Sequence, residues 1–104
     1  MTLSVKTGGI SCDFDGPHAS IESLKLQSGV YMITTKLPEG THKVIDVGES
    51  GKVRKRVENH DRSDEWERHK LDGIYFSAYY CDESTRMSME KLVRDSYEPP
   101  CGDR

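Results

Sequence analysis

The chain has 104 residues, enough for one domain with one modest core. Its 34% hydrophobic and 32% charged residues, at a net charge of −3, are polar for a globular protein yet exclude a wholly disordered chain. No apolar run approaches the roughly 20 residues of a membrane-spanning helix, and the first residues lack the basic-then-apolar layout of a secretion signal, so a cytoplasmic protein that avoids membranes is expected.

Residues 1–19 mix Gly, Asp, Ser and Pro, as in Gly8-Gly9 and Asp15-Gly16-Pro17. They are expected to form a loop-rich lead-in, with at most a short strand near Thr2 to Lys6, ahead of a domain over 20–104. Residues 20–27 suit a brief helical turn. Val30 to Thr35 is β-branched and aromatic and predicts a strand. Pro38-Glu39-Gly40 makes a turn, and His42 to Val47 a second strand, so the two form an antiparallel hairpin.

Ser50 is placed to cap a helix. There Val53, Arg56, Val57 and His60 fall at i, i+3, i+4 and i+7. That spacing sets Arg56 and His60 at the border of the buried stripe and leaves Lys52, Arg54 and Lys55 in solvent. Residues 64–69 extend the helical stretch, and Gly73 to Tyr80 is a third strand. Asp82 or Ser84 then caps a helix from about Ser84 to Ser96, with Met89, Leu92, Val93 and Tyr97 apolar and Glu90 beside them. Pro99-Pro100 stops it. The order β-β-α-β-α predicts an α+β fold, a small sandwich with a mostly antiparallel three-stranded central sheet flanked by helices.

Charge is unevenly spread. Between Gly51 and Arg62 stand Lys52, Arg54, Lys55, Arg56 and Arg62 against only Glu58 and Asp61, while the flanking stretches are acidic. A short basic element on an acidic protein suits focused phosphate contact better than wrapping of a long duplex. Cys12, Cys81 and Cys101 are too far apart in sequence for a close metal-ligand pair, and their odd number argues against a disulfide framework.

Four patterns then fall in one order: Ser28-Gly29-Val30-Tyr31, Asp46-Val47-Gly48, Arg56 with His60, and Glu90 followed by Pro99. Over roughly residues 20 to 102 the chain resembles the GIY-YIG endonuclease family. The literal Gly73-Ile74-Tyr75 is a decoy, because neither a strand ending in Gly nor a basic helix follows it. The resemblance implies a metal-dependent endonuclease that hydrolyses DNA phosphodiesters. Tyr31 would be the general base, Arg56 would contact the phosphate, and Glu90 would hold one divalent ion, Mg²⁺ or Mn²⁺. His60 matches a histidine found in part of the family. Two positions depart from the pattern. Asp46 stands where the second motif normally has tyrosine, and the late asparagine is missing, with Gly102 near its place. Asp46 either adds a second carboxylate for the ion or marks a fold that no longer cuts, an inactive DNA- or protein-binding module. Lys52, Arg54 and Lys55 would position phosphates if DNA binds. Trp66, Tyr79 and Tyr80 stack on bases or simply pack. DNA specificity would come from loops, from residues 1 to 20, or from a partner, whether a second copy in a homodimer or another protein.

Overall fold

A computed structural model of the protein describes residues 2–7 and 9–102; Met1, Gly8, Asp103 and Arg104 lie outside them. The chain forms β1 (Thr2–Thr7), β2 (Ile10–His18), a 3-10 turn at Ile21–Ser23, β3 (Gly29–Lys36), β4 (His42–Ser50), α1 (Val53–Glu58), α2 (Ser63–Arg68), β5 (Tyr75–Tyr80) and α3 (Glu83–Tyr97). All strands join one sheet in the order β1-β2-β5-β3-β4, each neighbouring pair antiparallel. Among the described residues no helix is long and apolar enough to cross a membrane.

The α+β class and the antiparallel sheet agree with the expectation, but the sheet has five strands rather than three. The additional pair is the stretch expected to be loop-rich. Val5, Thr7, Cys12 and Phe14 are buried while their neighbours face water, which is the period-two alternation of a half-buried hairpin. Polar residues and Gly16-Pro17 hide that alternation in the sequence. β2 then pairs with β5, opposite the side taken by β3.

β3 is buried from Gly29 to Thr35 because layers cover both of its faces. On one side Leu24, Tyr31, Ile33, Ile45, Val53, Val57, Trp66 and Cys101 pack under α1 and α2. On the other, Val5, Phe14, Val30, Met32 and Val47 pack against Met89 and Val93 of α3. Asp82 caps α3 by accepting from the Thr85 amide at 2.8 Å. Leu92 and Tyr97, expected on the apolar stripe of α3, are 36% and 39% exposed, and Arg94 is buried instead. β4 is an edge strand, and Arg94 reaches over that edge.

A bulge interrupts the β3–β4 ladder. Ile33 pairs with Asp46 and Thr34 with Val44, so Ile45 is the extra residue. A bulge of this kind turns two successive side chains to one face. Here both Ile45 and Asp46 enter the α1–α2 side.

Candidate active site

Tyr31 opposes Gly48 in the β3–β4 ladder. A Cβ at Gly48 would overlap the phenol oxygen and ring of Tyr31, so only glycine lets the ring lie flat across β4. The hydroxyl is thereby delivered to the end of α1, where Tyr31 Oη lies 2.7 Å from His60 Nε2. α1 stops at Glu58, short of the expected helical span, and His60 lies in the turn beyond it. The imidazole is wedged between Tyr31, edge-on at 5.6 Å between centroids, and Trp66 at 4.7 Å. Arg56, half exposed, lies near enough for its charge to act on Tyr31 and pairs with Asp61 at 3.3 Å.

Burial dominates the acid–base character of this pair. It pushes the Tyr31 phenol up to about 12, against the pull of the Arg56 and Arg62 charges and with the push of Asp46. Burial likewise drives His60 down to about 4, helped by Arg56 and Arg62 and opposed by Asp46 and Asp61. At neutral pH both groups are uncharged.

Asp46 sits beside this pair and is 0% exposed. Its Oδ2 accepts from Arg62 Nε at 2.9 Å and Trp66 Nε1 at 2.8 Å. Its Oδ1 accepts from Arg94 Nη2 at 2.6 Å and from the Val47 amide at 2.8 Å. Arg94 also donates to the Cys101 carbonyl at 2.9 Å and to the Val47 carbonyl. The last segment closes over these cations. The Cys101 amide bonds the carbonyl of the bulge residue Ile45 at 3.1 Å. Gly102, at φ +81°, approaches Arg62 and Arg94 so closely that a Cβ there would crowd both. Reading the sequence flagged Asp46 as a residue disfavoured in strands. It missed Arg62, Trp66 and Arg94 as its partners; the available signal was that a buried carboxylate requires cations.

Glu90 comes from the α3 layer, one turn before Arg94, with its Oε2 3.3 Å from Arg94 Nε. α3 packs on the face of the sheet opposite Tyr31, and Glu90 is linked to Asp46 through Arg94. Among the described residues no three of His, Cys, Asp or Glu form a group that could hold an ion. Asp46 does not fit as a ligand, since both its oxygens are already bound. Glu90 Oε2 is paired with Arg94, so this carboxylate would take an ion beside substrate phosphate and water only by giving up that guanidinium.

Lys52 and Lys55 project into solvent, and Arg54 pairs with Glu58 at 3.2 Å. The Lys25 carbonyl accepts the Arg54 amide, and its ammonium lies over the Tyr80 ring at 5.4 Å. Three aromatics are committed to packing. Trp66 is buried, Tyr79 lies against Phe14, and the Tyr80 hydroxyl accepts from the Lys25 amide at 2.8 Å. A depression of about 400 Å³, lined by Asp61, Arg62, Glu65, Pro100 and Gly102, opens at the residues just after His60.

No protein-family model matches the chain, and neither a curated protein nor a solved structure matches it.

Proposed function

We propose that the chain is a GIY-YIG-type endonuclease domain that hydrolyses DNA phosphodiesters. The observation that carries this reading is the meeting of a phenol, an imidazole and a guanidinium, Tyr31, His60 and Arg56, at one corner of the sheet. Phosphodiester hydrolysis calls for a proton acceptor for water and a cation for the crowded phosphate. Arg56 is the exposed member. A phosphate would draw it from Asp61, while Lys52, Lys55 and Lys25 steady the neighbouring backbone. Tyr31 acts as base only as phenolate. With its pKa raised to about 12, the cutting rate climbs about tenfold per pH unit on the alkaline side of neutrality, until the protein unfolds. Glu90 is the carboxylate that would hold a divalent ion, and such an ion supplies charge neutralisation at the departing oxygen.

Plasmid DNA incubated with the protein and Mn²⁺ provides the test. Nicking that stops on chelation is expected, as is its loss in Arg56→Ala and Glu90→Ala. Glu90→Ala should remain folded because Arg94 keeps Asp46 and two carbonyls. Undiminished cutting by Glu90→Ala would remove Glu90 from the mechanism.

The saturated Asp46 favours a second reading, a module that kept the fold and binds DNA or a protein without cutting. A shift in DNA mobility with no nicking under any divalent ion would establish it.

A further inference from the structure

We propose that His60 serves the Tyr31 hydroxyl as a fixed hydrogen-bond donor, in a tautomer set by the backbone amide of Arg62, and does not receive the Tyr31 proton. The argument rests on which atoms can donate. The Arg62 amide lies 3.1 Å from His60 Nδ1, and a backbone N–H only donates. Nδ1 therefore presents its lone pair. A neutral imidazole carries one proton, which must sit on Nε2, 2.7 Å from Tyr31 Oη.

The surroundings hold this arrangement. The His60 side chain is 0% exposed, and rotating the ring would break both bonds inside the core. Trp66 covers one side of the ring and is itself pinned by Asp46. Arg62 supplies the amide with its backbone and grips Asp46 with its side chain. The Asp46 hub is thus a positioning device for His60. The charged groups facing the pair are Arg56 from α1, Asp61 and Arg62 from the turn, and Asp46 from β4. Of these, Asp61 Oδ1, 3.4 Å from Nδ1, favours a proton on that nitrogen. It is a solvated side chain already paired with Arg56, whereas the Arg62 amide is held by the main chain.

The consequence for catalysis rests on the nuclease reading. The proton that leaves Tyr31 passes to solvent, because His60 Nε2 is occupied and Nδ1 is blocked. The phenolate oxygen then accepts from Nε2–H and takes a proton from the attacking water. The resulting hydroxide forms the new bond to phosphorus, the bond to the departing oxygen breaks, and that oxygen is protonated by solvent. His60 acts throughout as an oxyanion donor.

The test is a long-range ¹H–¹⁵N correlation spectrum of the ¹⁵N-labelled full chain near pH 7. His60 should show a protonated Nε2 and an unprotonated Nδ1. A proton on Nδ1, or an imidazolium, overturns the proposal. Kinetics give a second measure. His60→Ala should lose about 100-fold or more in cutting. His60→Gln, whose amide nitrogen reaches the Nε2 position but takes up no proton, should recover at least about tenfold of that, while His60→Asn should not. Equal loss in the Gln and Ala variants also overturns it. A chain that cuts no DNA sinks the nuclease reading, and the spectrum still decides the tautomer.

Discussion

Asp46 and Tyr31 stand on adjacent strands, and both are nearly sealed from water, yet they are held in opposite ways. Around Asp46 the charges are formal and paired: its carboxylate takes two guanidiniums, an indole N–H and a backbone amide, and Glu90 adds a second carboxylate on Arg94. Around Tyr31 two neutral groups share one hydrogen bond, and Arg56, whose charge acts on the phenol, is half exposed and paired with a surface carboxylate. A saturated buried ion cluster resists change, because removing one member strands the others. The solvated Arg56–Asp61 pair beside the buried phenol and imidazole can exchange partners at little cost. On the proposed nuclease reading, the hub holds geometry and the Tyr31 corner meets the ligand.

Removing the hub carboxylate is the strongest way to break this contrast. Asp46→Ala takes from the buried Arg94 the closer of its two carboxylates and should cost about 3–5 kcal/mol, read from urea unfolding. A loss under about 1 kcal/mol would show that the hub is not structural. Gly48→Ala comes next. It forces a methyl against the Tyr31 ring and should cost about 1–3 kcal/mol, with the His60 hydrogen bond displaced. An unperturbed His60 resonance would show that the close approach is not required.

Acid titration probes the neutral pair. His60 is lowered from an ordinary 6.5 to about 4 in the fold, so the unfolded chain binds the extra proton first. Its effect on stability is absent above 6.5 and grows as pH falls toward 4. The unfolding midpoint should drop across that window in the parent protein and less so in His60→Gln. The smallest effects belong to the solvated cations. Lys52→Ala and Lys55→Ala should each change stability by less than about 0.5 kcal/mol. If DNA binds, each should also reduce the salt dependence of binding by about one unit of log–log slope. A stability loss above 1–2 kcal/mol in either would place those side chains in the structure rather than at a ligand surface.

Parts of this molecule were legible from local pattern alone. The β-branched run at Val30 to Thr35 and the turn at Pro38-Glu39-Gly40 mark the β3–β4 hairpin, and Asp82 and Pro99 bracket α3. The short strand expected near Thr2 to Lys6 is β1, but its partner β2 escaped notice because the inward set of the hairpin includes Thr7 and Cys12 among polar neighbours. α1 proved shorter than its apolar spacing suggested, since the turn after Glu58 is shaped by what His60 contacts and not by helical propensity.

The sequence by itself determined the α+β class and the central hairpin, because strand alternation and turn chemistry act over a few residues. Only the tertiary structure decided what Asp46 is. Its partners Arg62 and Arg94 lie 16 and 48 residues away. No local rule pairs them; the bulge at Ile45 and the closed edge of β4 bring them together, and desolvation then makes their mutual satisfaction obligatory.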